Sequence, residues 1–329
     1  MRIAIDAMGG DHAPSLIVLG AVEAALEWPA LQLLLVGDTA KIETHLGAKR
    51  PSNIEIVHAD DVIGPDDEPV KAVRRKKNSS MVMAGQLVRE GKADAMLSAG
   101  NTGALMTTGL LVVGRMEGIE RPALVTMLPT MDDKGVLALD LGANMDAKPE
   151  HLLQYAIMGS IYRSKMNGME KPRVGLLNVG TEAMKGNELT KAAYELLETA
   201  PIHFIGNVEA RDVLVRNCDV LICDGFAGNI MLKAMEGTAG TLFRTIRDVF
   251  TSSLMAKIAA AIVQPKLRQL KNKMDYKEHG GAPLLGVNGL VVKCHGSSDV
   301  KAVKNAVRQA KLAIESNLIS SIAAEISRK

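Results

Sequence analysis

Short apolar runs alternate along this chain with longer stretches whose apolar positions recur every three or four residues. The runs that read as strands are 2–6, 31–36, 54–58, 94–98, 123–128, 135–140, 173–178, 202–205, 219–223, 284–287 and 290–293. Leu16, Leu19, Val22 and Leu26, between the first two runs, show the helical spacing. Continuous apolar runs suit strands covered on both faces, and their alternation with amphipathic helices predicts βαβ units. The expected fold is therefore α/β, a largely parallel sheet with helices on both faces. Val300, Val303, Val307, Ala310 and Ile314 predict a final amphipathic helix, capped by Ser298. No repeat or low-complexity linker divides the chain. We expect one domain over 1–329, with two lobes possible and meeting near 145–150.

One stretch departs from this rhythm. Residues 241–273 contain no strand pattern, and Arg244, Arg247, Lys257, Lys266, Arg268, Lys271 and Lys273 face one acid, Asp248. At its centre Leu254, Ile258 and Ile262 recur every four residues and so share one helical face. The pattern predicts a basic helical arm with an apolar tip, suited to a membrane surface or to packing in a dimer.

Composition narrows the function classes. Net charge is +2 and aromatics make up 3%, which leaves little material for stacking on bases, so we expect no nucleic-acid partner. Cys218, Cys223 and Cys294 have no CxxC spacing and are expected to be buried thiols in a reducing compartment. The first residues read as a strand, and no apolar run approaches the ~20 residues of a spanning helix, so a soluble, cytoplasmic protein is expected.

The candidate chemistry lies in four loops, each an apolar strand followed by Gly with Asn, Asp or Thr, then a helix. The first runs from Asp6 through Gly9, Gly10, Asp11 and His12 to Pro14, and the second from Ser98 through Gly100, Asn101, Thr102 and Gly103. The third follows Asn178 with Gly180, Thr181, Lys185, Gly186 and Asn187, and the fourth follows Cys223 with Asp224, Gly225, Gly228 and Asn229. Glycine permits close approach of a ligand, helix N-termini favour anions, and Asn and Thr add neutral donors. In an open parallel sheet such loops gather at the carboxyl ends of the strands.

Each loop alone reads more readily as a turn with its cap; Asp11, for instance, could cap the helix near Pro14. No Walker A or G-x-G-x-x-G pattern occurs. Lys185, in its Gly-flanked loop, is the cation most suited to the site, although a lysine there can also be a solvated charge. His12 could move a proton or simply accompany the helix start. His295 and Ser297 form a further strand-to-helix turn. Asp140 and Asp146 could hold a divalent ion, but without a third ligand or a His they read, with Asn144, more readily as polar support for the loops. Lys71, Arg74, Arg75, Lys76 and Lys77 form a basic run that is either a solvated face or a dock for an acidic partner.

Taken in order, Met8-Gly9-Gly10-Asp11-His12-Ala13-Pro14, Ser98-Ala99-Gly100-Asn101-Thr102-Gly103-Ala104, Asn178-Val179-Gly180, Lys185-Gly186-Asn187, Asp224-Gly225-Phe226, Gly228-Asn229 and His295-Gly296-Ser297-Ser298 resemble the bacterial phosphate acyltransferases of phospholipid synthesis. The resemblance covers essentially the whole chain. It implies transfer of a fatty acyl group from acyl carrier protein to inorganic phosphate, giving an acyl phosphate, with no cofactor and no metal. It implies a fold similar to phosphotransacetylase and the isocitrate and isopropylmalate dehydrogenases, working as a homodimer. It also implies peripheral attachment to the inner face of the plasma membrane, through Leu254, Ile258 and Ile262, beside an acyltransferase that passes the product to glycerol 3-phosphate. Asn101, Thr102, Asn178 and Asn229 would hold phosphate and the thioester carbonyl, and Lys185 would orient phosphate. The alternatives are a coenzyme A-dependent enzyme of the phosphotransacetylase type, or a non-catalytic membrane scaffold.

Overall fold

The structure is a computed structural model that describes residues 1–47, 50–273 and 280–327. Its strands are β1 (Arg2–Asp6), β2 (Gln32–Gly37), β3 (Ile54–His58), β4 (Ala95–Ser98), β5 (Ala123–Leu124), β6 (Thr126–Leu128), β7 (Val136–Leu139), β8 (Arg173–Asn178), β9 (His203–Glu209), β10 (Val220–Ile222), β11 (Ala282–Leu285) and β12 (Leu290–Lys293). The helices between them are α1 (Ser15–Glu27), α2 (Thr39–Leu46), α3 (Pro69–Arg75), α4 (Ser80–Arg89), α5 (Thr102–Thr108), α6 (Pro149–Asn167), α7 (Glu188–Glu198), α8 (Gly225–Thr251), α9 (Leu254–Lys273), α10 (Val300–Glu315) and α11 (Leu318–Ile326).

The expected α/β alternation is borne out, but the strands divide between two sheets. One has the order β3-β2-β1-β4-β12-β11-β5, the other β6-β7-β10-β8-β9. Both are parallel except where β11 runs against β12 and β5, and β6 against β7. The run 123–128, expected as one strand, splits at Val125. Ala123 and Leu124 pair with β11, whereas Thr126 to Leu128 pair with β7. The chain thus changes sheet at Val125 and returns to the first sheet at β11, after α8 and α9. The segment 145–150 lies in the loop that leads into α6.

The period of two in the strands sorts their side chains onto opposite faces. In the first sheet Ile3, Ile5, Leu33, Leu35, Leu97 and Val292 face one core together with Ile17 of α1 and Val303 of α10. Ala4, Leu34, Met96 and Val291 face the other, with Met81 of α4. In the second sheet Leu137, Leu139, Leu176 and Ile222 join the first of these cores through Leu152 and Tyr155 of α6. One apolar cluster therefore runs through both sheets. That shared core explains why no linker composition marks a boundary.

The helix expected last is α10, and α11 follows it; α10 begins where expected, but its cap is Asp299, whose carboxylate accepts from the Ala302 amide at 2.8 Å, and Ser298 is buried one residue earlier. The predicted arm is present. Beyond Met231 no residue of α8 is fully buried, and α9 folds back against it. Half-buried Ala239, Phe243, Ile246 and Phe250 on α8, and Ala256, Ala260, Val263 and Leu267 on α9, recur every three or four residues, so each helix turns one stripe towards the other. Leu254 and Ile262 are 79% and 76% exposed, and Ile258 is exposed beside them. The side chains of Arg268, Lys271 and Lys273 lie outside the described residues. No helix among the described residues is long and apolar enough to cross a membrane.

Candidate active site

The first sheet reverses its strand order between β1 and β4, since β2 and β3 build outwards on one side of β1 and β4 adds on the other. Ligands of open α/β sheets bind at such a reversal, outside the carboxyl ends of the strands. Here those ends carry Asp6 and Ser98, which are register partners. The buried Ser98 hydroxyl donates to Asp6 Oδ2 at 2.6 Å and accepts from the Gly100 amide at 3.0 Å, tying β1 to the 99–101 loop. Burial raises the Asp6 carboxyl above its ordinary range despite the hydrogen bonds from Ser98 and the loop amides.

Three loops meet over this row. The Asp11 amide donates to the Gly296 carbonyl at 2.8 Å, and the Cys294 amide to Ser98 O at 2.8 Å. Gly10 has φ +112°, and a Cβ there would lie 3.0 Å from Ala99 Cβ and 3.1 Å from Gly296 O. Asp11 therefore serves the loop junction and does not cap α1, whose N-cap is Pro14 without a side-chain bond. His12 is exposed, and its carbonyl accepts from the Ser15 hydroxyl at 3.0 Å.

A cavity of about 560 Å³ opens between this junction and residues of β6, β7 and α8. Its lining includes the polar residues Thr102, Lys293, His295, Ser297, Ser298 and Asn229, the carboxylates Glu236 and Asp299, and the apolar residues Leu124, Met127, Leu137, Leu141 and Leu232. Of the residues singled out from sequence, the cavity brings together Thr102, Asn229, His295 and Ser297. His295 Nδ1 is 2.9 Å from the Ser297 hydroxyl, closing the turn that faces the cavity.

Several other candidates shape loops instead of lining the cavity. Asn101 caps α5 by accepting from the Ala104 amide at 3.0 Å, and its Nδ2 donates to Pro65 O at 3.0 Å. Gly103 packs beneath Pro69, where a Cβ would come within 2.6 Å of its ring. Asn144 donates to Pro122 O at 2.9 Å and to Asp140 at 3.0 Å, and Asp140 also accepts from the amides of Ala143 and Asn144 at 3.0 and 2.6 Å. Gly228 is the close-approach position of α8, since a Cβ there would lie 2.1 Å from Asp140 O. Asp224 caps the same helix by accepting from the Phe226 and Ala227 amides at 2.9 Å.

Asn178, Gly180, Thr181, Lys185 and Asn187 cluster at the carboxyl end of β8, outside the cavity lining. Asn178 Nδ2 donates to Lys185 O at 3.0 Å, and Asn187 caps α7 by accepting from the Thr190 amide at 2.9 Å. The Lys185 side chain is exposed. These caps explain why loops of this composition read as anion sites: the same side chains that could meet a ligand here satisfy helix N–H groups.

Lys293 escaped the sequence reading. It ends an apolar strand, follows no glycine, and precedes the turn that drew attention. Register makes it the neighbour of Ser98. Cys218, Cys223 and Cys294 are free and buried, as expected, and burial pushes Cys218 up to about 12 and Cys294 up to about 11. Among the described residues no group of three or more His, Cys, Asp or Glu side chains is arranged to hold a metal ion.

Residues 1–321 match the family model described as "Fatty acid synthesis protein". The chain is 61% identical to the phosphate acyltransferase of Brevibacillus brevis over 307 residues, 93% of this chain and 92% of that one. It is 57% identical to the phosphate acyltransferase of Geobacillus thermodenitrificans, over 100% and 99% of the two chains. Among solved structures, a phosphotransacetylase from Streptococcus pyogenes superposes with a TM-score of 0.62 at 16% identity, covering 96% of this chain and 94% of that one. The EutD phosphotransacetylase of Staphylococcus aureus gives 0.57 at 16% identity, covering 95% and 94%. At such identities these two speak for the fold alone, and they bear out the expected phosphotransacetylase-like architecture. Full-length identity well above half, together with the family match, means that this chain belongs to the phosphate acyltransferase family and is an acyltransferase.

Proposed function

We propose that the acyl donor is a fatty acyl-acyl-carrier-protein thioester and that the product is an acyl phosphate for phospholipid synthesis. The observation that carries this reading is the mixed lining of the cavity. Its hydroxyl, amide and lysine groups suit a phosphate, and Leu124, Met127, Leu137, Leu141 and Leu232 suit the start of an acyl chain. An oxygen of hydrogen phosphate attacks the thioester carbonyl carbon. The C–O bond forms, the C–S bond breaks, and the proton released from phosphate passes to the departing thiolate. Phosphate is already anionic at neutral pH, so positioning counts for more than deprotonation.

In this reading Thr102 and Asn229 donate to phosphate or to the developing oxyanion, and the turn of His295 and Ser297 adds further polar groups to the lining. Asp6, Gly9, Gly10, Asp11, Asn101, Gly103, Asn144 and Gly228 hold the loops at the spacing the substrates need. His12 moves the proton. Lys185, with Asn178, Gly180, Thr181 and Asn187, offsets charge from the second lobe. No cofactor is required.

The arm supports a peripheral position at the inner face of the plasma membrane. Its exposed tip of Leu254, Ile258 and Ile262 would enter the lipid boundary while Lys257 and Lys266 meet anionic headgroups. There the product would pass to an acyltransferase that uses glycerol 3-phosphate. The exposed Phe226, Ile230, Leu242 and Val249 along α8 support a homodimer.

The test is turnover of purified protein with phosphate and either acyl carrier protein or coenzyme A thioesters, reading acyl phosphate and free thiol together. Product from the carrier-protein thioester supports the reading. Product from the coenzyme A thioester alone favours a phosphotransacetylase-type donor, and no product from either leaves a membrane scaffold.

A further inference from the structure

We propose that Lys293 is the cation that binds the phosphate nucleophile, holding it at the carboxyl end of β12 between the 99–102 loop and the 295–298 turn. The inference rests on the reading of the cavity as the acyl-to-phosphate site. Three observations carry it.

The first is position. Ser98 is the register partner of both Asp6 and Lys293, so the three side chains end adjacent parallel strands at the reversal of strand order. Lys293 lines the same cavity as Thr102 and Ser297. A phosphate there would meet a cation and neutral hydroxyl donors together.

The second is its partners. Of the lysines lining the cavity, Lys233 is held by Glu236 at 2.8 Å, and Lys301 is engaged as well. Lys293 donates to main-chain carbonyls only, that of Ala99 at 3.4 Å and that of Cys294. Among the described residues no carboxylate stands within ion-pair distance of it. A half-buried ammonium with only carbonyl partners keeps a strong, unneutralised field. An anion in the cavity supplies the counter-charge.

The third is electrostatic setting. Burial draws the Lys293 ammonium below its ordinary pKa, and the nearby charges of Asp6 and Asp11 hold it up only in part. A bound phosphate dianion would favour the charged form, so anion binding and protonation of Lys293 reinforce each other. Lys185 differs on the first of these counts, lying exposed on the other lobe outside the cavity lining.

The experiment compares wild type, Lys293→Met and Lys293→Arg in steady-state turnover, varying phosphate and acyl donor separately. Losing a charge-assisted contact should raise the KM for phosphate by about 10- to 100-fold in Lys293→Met. The KM for the acyl donor should stay within about two-fold, and Lys293→Arg should recover most of the phosphate affinity. A folded Lys293→Met with an unchanged KM for phosphate overturns the proposal. So does a general loss of turnover that Arg does not restore and that leaves the KM for phosphate untouched. Reductive methylation of the wild-type protein, read by mass spectrometry, needs no variant. Inorganic phosphate should slow modification of Lys293 and not of the exposed Lys41; equal rates with and without phosphate overturn the proposal even if Lys293→Met does not fold. Wild-type turnover separates the two readings. Without acyl phosphate from wild type the functional reading fails, whereas acyl phosphate with an indifferent Lys293 removes this inference alone.

Discussion

The amide of Asp11 donates to the carbonyl of Gly296 at 2.8 Å, joining a loop near the start of the chain to one near its end. Gly10 lies under that junction with φ +112°, wedged between Ala99 and Gly296. Alanine there would combine a disfavoured backbone conformation with a steric contact. Gly10→Ala is expected to cost roughly 1–3 kcal/mol in chemical denaturation. Activity should fall by more than the folded fraction does; a variant of native stability and full turnover would contradict the junction's role.

Asn229, one turn into α8, and Thr102, the first residue of α5, both line the cavity. If each supplies one donor to the reacting centre, Asn229→Ala and Thr102→Val should each lower kcat on the order of 10²–10³-fold. Circular dichroism and thermal melting check that the loss is chemical. A decrease of less than about five-fold in both would remove these residues from the site.

Phosphate is itself the nucleophile in the proposed reaction, so no thiol is needed. Burial raises all three cysteines, which keeps them protonated at neutral pH. A variant with alanine at Cys218, Cys223 and Cys294 should retain turnover within about an order of magnitude, in proportion to its folded fraction. Abolished turnover in a folded variant would require a covalent acyl-enzyme.

Asp219, at the opposite end of the second sheet, is bonded to Arg173 at 3.1 Å and to Arg216 at 2.6 Å. Burial raises its pKa, but the hydrogen bonds from the two arginines prevail and bring it down to about 2. A carboxylate with a depressed folded-state pKa stabilises fully above its unfolded value near 3.9 and loses that contribution as pH falls towards about 2. Denaturation midpoints should therefore drop between about pH 4 and 2. Asp219→Asn should lose roughly 2–3 kcal/mol at neutral pH and show a shallower acid dependence over that window. Parallel acid profiles for the two proteins would exclude the pair as the source.

Leu254 stands 79% exposed at the start of α9. Leu254→Glu should reduce sedimentation with vesicles rich in anionic phospholipid by several-fold, because a carboxylate at the tip opposes both apolar insertion and the surface charge. Unchanged lipid binding by the folded protein would leave the stripe to packing between subunits.

Local patterning predicted most of this architecture. The apolar runs marked nearly every strand, since strands buried on both faces need continuous apolar side chains regardless of their pairing. The stripe at Leu254, Ile258 and Ile262 marked the arm, because helical spacing is also a local property. Gly10 and Gly228 were visible as glycines, although what they avoid, Gly296 and Asp140, was not. The division at Val125 was hidden, because a six-residue apolar run is the same whether one sheet or two receive it.

The sequence by itself determined the elements, the loops that could meet an anion, and the family. Tertiary structure decided which loops share a cavity. It set Thr102, Asn229, His295 and Ser297 around one space and left Lys185 at the end of a different sheet. It also brought Lys293 beside Ser98, a residue nearly two hundred positions earlier, through the register of β12 on β4. The reason is physical: helical and strand periods are encoded over a few residues, whereas strand order is settled by which distant surfaces bury one another best.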